Sequence, residues 1–85
     1  MADAAELVTA RLRERLRPAR LEVEDLSDEH LGHAEAGRGA HLRLRISAAG
    51  FAGLSELERH RLVYNCLGDL EKLGVHALAI TALSD

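Results

Sequence analysis

Aromatic side chains are nearly missing from this sequence: Phe51 and Tyr64 are the only two, and there is no tryptophan. Recognition of single-stranded nucleic acid by base stacking, which needs aromatic platforms, is therefore disfavoured. Cysteine occurs once, at Cys66, which excludes an internal disulfide framework and fits a reducing compartment. Basic residues are not in excess, since the formal net charge is −3 with histidine neutral. Whole-chain charge thus gives no drive towards nucleic acid, although it is compatible with a local basic patch. No apolar run reaches the roughly 18 residues of a membrane-spanning helix. The opening residues, Met1 to Glu6, lack the basic flank and apolar core of a signal peptide. These absences lead to the expectation of a cytoplasmic chain with no membrane contact.

What is present suffices for one small domain over residues 1–85. A chain of this size buries only about 60–65% of the surface it exposes unfolded, so a thin core is expected. Asp3 and Glu6 have the spacing of a capping box, and Ala5, Val8, Leu12 and Leu16 recur at helical intervals behind them. Pro18 ends that helix by displacing Arg17 from the helical region. Leu21-Glu22-Val23-Glu24 alternates as a strand. Residues 27–40 hold Gly32, Gly37 and Gly39 among Asp28, Glu29, His30 and His33 and lack apolar periodicity. A loop above about 12 residues in so small a domain points to function or disorder.

The segment from His41 to Ser47 alternates most cleanly, with Leu42, Leu44 and Ile46 inward and His41, Arg43 and Arg45 outward. Phe51 is expected to plug the following turn. Ser55 and Glu58 open a second helix, whose buried stripe is read as Leu62, Val63, Cys66, Leu67, Leu70 and Leu73, with Gly74 as its left-handed cap. Val75 to Leu83 then reads as a last strand. Helix, two strands, helix, strand pack most simply as an α+β layer, with both helices on one face of a three-stranded sheet.

Several residues stand out on chemical grounds. His76 opens the last strand, on the same side as Leu78 and Ile80 by strict alternation, and reads either as a ligand or as a sheet-end histidine bonded to backbone. His41 is expected to be solvated. His30 and His33 together offer two nitrogens to a divalent metal, short of the three or four ligands of a usual zinc site. Arg59 projects onto the buried line of Val63, Cys66 and Leu70, and a structural role holding the turn at Phe51 to Gly53 is favoured. Leu57, Arg61, Tyr64 and Gly68 share another face, read equally as a docking surface and as an ordinary solvated one.

The blocks Phe51-Ala52-Gly53-Leu54, Arg59-His60-Arg61-Leu62-Val63-Tyr64 and His76-Ala77-Leu78-Ala79-Ile80, with Gly32-His33 in the preceding loop, resemble the BolA signature in order and spacing. The resemblance runs from the first helix to the last strand. It implies an αββαβ fold similar to type II KH domains, with a three-stranded mixed sheet. It also implies a monothiol glutaredoxin partner sharing a [2Fe–2S] cluster with glutathione, and roles in iron–sulfur or iron homeostasis and in stress or morphology regulation. His76 corresponds to a cluster ligand of the family, and His33 best matches the second, with His30 as the stand-in. Arg61, Tyr64 and Gly68 become the expected partner-binding residues. The isolated chain is expected to be a monomer or weak homodimer.

Residue chemistry is consistent with that implication. Clusters are usually held by four donors, mostly thiolates, and the one thiol here lies on an apolar stripe where it is expected to be buried and inert. A partner must then supply thiolates while this chain supplies imidazole. Imidazole ligation removes negative charge and raises the cluster's potential, and protonation near pH 6 makes such a site labile.

The competing reading is a KH-like DNA-binding regulator. Gly50-Phe51-Ala52-Gly53 spells a GxxG element, and Arg43, Arg45, Arg59, His60 and Arg61 are the basic set it would use. No basic residue lies inside the motif, so the match is weak. No nucleophile–base pair, nucleotide loop or metal-ligand triad is apparent, and an enzyme is not expected.

Overall fold

The computed structural model describes residues 3–26 and 39–83. Helix α1 (Ala4–Leu16) starts at Asp3, whose extended backbone and Oδ1, accepting from the Glu6 amide at 2.9 Å, satisfy a donor the first turn leaves unpaired. It buries Val8 and Leu12, with Ala5 and Leu16 packed beside them. Arg17 closes it in the left-handed region at φ 48°, so the residue before Pro18 does leave the right-handed helix.

Strand β1 (Arg20–Asp25) pairs antiparallel with β2 (Ala40–Ser47), which pairs parallel with β3 (Val75–Leu83), giving a mixed sheet in the order β1-β2-β3. Central β2 buries Leu42, Leu44 and Ile46 and exposes Arg43 and Arg45. Val8 and Leu12 of α1 meet those leucines in one core with Val63 and Leu67 of α2 (Glu56–Leu67). Both helices therefore cover the same sheet face, and the fold is α+β, as the periodicities predict.

Between β2 and α2 a 3₁₀ turn (Ala49–Phe51) drives Phe51 into the core, where it is fully buried. Ser55 then caps α2. Its side chain accepts from the Glu58 amide at 3.1 Å, and the Glu58 carboxylate accepts from the Ser55 amide at 2.9 Å.

The expected extent of α2 is corrected. The helix stops at Leu67, not near Leu73, because Gly68 takes φ 77° and its amide closes on the Tyr64 carbonyl. Gly68, expected on a helix face with Leu57, Arg61 and Tyr64, is thus the helix terminator. Leu70 and Leu73 still pack on the core, from a turn that ends at Gly74 with φ 81°. The last carbonyls of α2 are capped from α1: Arg11 Nη1 donates to Leu67 O at 2.8 Å and Arg15 Nη1 to Cys66 O at 2.7 Å.

Candidate functional site

The start of β3 is irregular. Ala40 pairs with Val75, yet the next residue of β2, His41, pairs with Ala77, so His76 is the extra residue of a β-bulge. Strict alternation places His76 on the core side with Leu78. The bulge overrides this: Val75 is buried and Leu78 packs on the core, while His76 and Ala77 between them are both exposed. A strand that must bury residues three apart needs one extra residue between them, and that residue is re-aimed outward.

His76 is held tightly at its backbone. Gly39 approaches so closely, at φ 135°, that a Cβ there would stand 3.1 Å from His76 Cβ and 3.2 Å from its amide nitrogen. The Ala40 amide donates to Gly74 O at 2.8 Å just below. The His76 ring in turn lies 5.1 Å, centroid to centroid, from that of half-buried His41, tilted by 45°. His41 does face away from the core as expected, but it is a ring neighbour of His76 and not merely a solvated side chain. Two concavities open here, one lined by Glu71, Gly74, Val75 and His76, the other by Leu26, His41, Leu42, Ala77, Leu78 and Ala79.

The remaining candidates are distributed as follows. His30 and His33 lie outside the described residues. Cys66 is half-buried, more accessible than its place on an apolar stripe implies, and burial pushes its thiol pKa up against a smaller lowering by Arg15. At neutral pH it is a thiol, not a thiolate. Among the described residues, no group of three or more His, Cys, Asp or Glu side chains is placed to hold a metal.

Arg59 does what its buried line predicts. Its Nε donates to Phe51 O and its Nη1 to Ala82 O, both at 3.2 Å, tying α2 to the Phe51 turn and to the end of β3. Arg61 and Tyr64 are exposed on α2, and Gly68 sits at its end, within reach of Arg11.

The five residues of the basic set are not brought together. Arg43 and Arg45 project from the sheet face away from the helices, whereas Arg59, His60 and Arg61 belong to α2 on the other side. On the open face Arg43 Nη1 meets Glu24 Oε1 at 3.1 Å, and Arg45 pairs in register with Glu22. His60 Nε2 is enclosed 4.0 Å from Glu56 Oε1, and Phe51 of the GxxG segment is in the core.

A family model described as BolA-like protein matches residues 12–85. The chain belongs to the BolA-like family. SufE-like protein 1, chloroplastic/mitochondrial, of Arabidopsis thaliana is 45% identical over 82 residues, covering 88% of this chain and 22% of that protein. Protein BOLA1, chloroplastic, of the same plant is 38% identical over 84 residues, covering 94% of this chain and 52% of the relative. This chain thus spans from about a fifth to about half of these BolA relatives. The solved BolA domain of SufE1 from Arabidopsis thaliana superposes with a TM-score of 0.81 at 40% identity, covering 99% of this chain and 94% of that domain. Both plant relatives bear organelle names, so BolA membership does not itself carry the cytoplasmic expectation. No helix among the described residues is long and apolar enough to cross a membrane.

Proposed function

We propose that this BolA-like chain is a non-enzymatic adaptor that binds a monothiol glutaredoxin and contributes imidazole to a bridging [2Fe–2S] cluster. The observation that carries this reading is the bulge that turns His76 out of the core and fixes it at an exposed strand end. The donor chemistry fits half a site. His76 is available, Cys66 is half-buried with its pKa raised, and thiolates must come from the glutaredoxin and from glutathione. By family resemblance, His33 is the second donor from this chain, with His30 in its place otherwise. The cluster would supply a one-electron centre whose potential imidazole ligation raises.

On this reading the chain's own residues orient and expose a ligand. The exposed Arg61 and Tyr64 of α2, with Gly68 at its end, form the docking face for the glutaredoxin. Roles in iron–sulfur homeostasis and in stress or morphology regulation follow from that partnership. Anaerobic reconstitution with a monothiol glutaredoxin and glutathione, followed by visible absorption and circular dichroism, tests it. The complex should give a spectrum different from that of the glutaredoxin alone, and His76→Ala should weaken cluster retention. Identical spectra for wild type, His76→Ala and glutaredoxin alone would overturn the assignment.

A further inference from the structure

We infer that His41 and His76 form a two-imidazole site for a divalent transition cation of the zinc, nickel and copper class, which the chain binds without any second protein. Neighbouring strands place the two rings, and the bulge makes the pairing. Carried back without the bulge from Leu42 opposite Leu78, the strand would set His76 opposite Ala40 and pointing inward, away from the His41 ring. The inserted residue brings the second ring to the first.

The separation suits one ion. Metal–nitrogen bonds of about 2.0–2.1 Å at the tetrahedral angle, with each nitrogen about 1.1 Å from its ring centroid, put two imidazoles on one ion with centroids about 5 Å apart. The observed separation is 5.1 Å. Backbone contacts fix it: Gly39 packs tightly against His76 at a φ that disfavours any side chain, and the Ala40 amide bonds to Gly74 O. Among the described residues, the concavities at the pair are lined by apolar residues, Gly74 and Glu71, and by no arginine or lysine.

Neutral imidazole is a borderline donor, which selects zinc, nickel and copper over magnesium and calcium. Two protein donors leave coordination positions to water, so the site resembles an open centre more than a closed structural one. Affinity should rise from Zn²⁺ to Cu²⁺, following the general order for nitrogen sites. Because His76 is shared, a cation on this pair and the cluster proposed above exclude one another, but the cation site does not depend on that cluster.

Zinc chloride alone, titrated into the isolated full chain and followed by NMR of the histidine ring signals, tests the inference. The His41 and His76 signals should move together and saturate at one ion per chain. His41→Ala and His76→Ala should each weaken binding by about tenfold or more. The wild-type signals give an answer even if a variant folds poorly. Unmoved His41 and His76 signals, or a folded His41→Ala variant that binds zinc as wild type does, would overturn it.

Discussion

Gly39 and His76 are in contact across the sheet end: a Cβ on Gly39 would stand 3.1 Å from His76 Cβ, tighter than ordinary van der Waals contact, and Gly39 holds φ 135°. Glycine is needed there twice over, for its conformation and for its missing atom. Gly39→Ala should therefore lower stability by about 1–3 kcal/mol in urea unfolding and displace the His76 ring signals. Unchanged stability and unchanged His76 signals would show that the bulge is not braced in this way.

Arg59 bonds to Phe51 O and Ala82 O at once, and a shorter or differently shaped side chain cannot span both. Replacing it by alanine or lysine should cost about 1–3 kcal/mol, read from the urea midpoint at constant slope. A loss below about 0.5 kcal/mol would place Arg59 among ordinary surface residues.

Much of this architecture was legible in the sequence because period and capping chemistry are local. Val8 and Leu12 at helical spacing, Leu42, Leu44 and Ile46 at period two, and the Ser55–Glu58 pair each found their expected places. The misreadings share one cause: a residue whose role depends on a partner distant in sequence. Gly68 looked like part of a continuing helix face because the carbonyls left open at Leu67 and Cys66 are capped by Arg11 and Arg15, more than fifty positions earlier. His76 looked inward because a bulge has no period, and His41 looked merely solvated for the same reason. The three charge-bearing positions of α2 and the two of β2 looked like one basic set because a sequence does not show which sheet face a helix covers.

Glu58 ties the α2 N-terminus to acid stability. The Ser55 amide, and then its hydroxyl, hold the Glu58 carboxyl below the usual carboxylate range, with Arg61 adding to the shift. A carboxyl depressed in the folded state contributes stability that is complete above its unfolded pKa and is lost as pH falls through the folded value. Stability should therefore decline on acidification below the ordinary glutamate range, and Glu58→Gln should flatten that slope. A variant with the wild-type pH dependence would contradict the reciprocal cap.

Cys66 should be a bystander. With burial raising its thiol pKa, alkylation at pH 7 should be slower than for free cysteine and should quicken as pH rises. Cys66→Ala should leave the visible spectrum of the reconstituted glutaredoxin complex unchanged. A changed spectrum would make the thiol a ligand.

Direct DNA binding should be weak and non-specific. Arg43 and Arg45 lie beside Glu24 and Glu22, and the α2 residues face elsewhere. Gel-shift titrations at about 50 and 200 mM salt should give no steep salt dependence, whereas a footprint of six or more phosphates would cost about a thousandfold or more in affinity over that range. A steep slope would restore the nucleic-acid reading.

On the proposed function, His76 binds iron in a cluster this chain shares with a glutaredoxin. Hyperfine spectroscopy of the reduced cluster tests it directly, using this chain labelled with ¹⁵N-histidine in the anaerobically reconstituted complex. The labelled chain should give ¹⁵N couplings, with one set missing from His76→Ala. Iron with no coupling to labelled histidine, or the same couplings with and without His76, would contradict it.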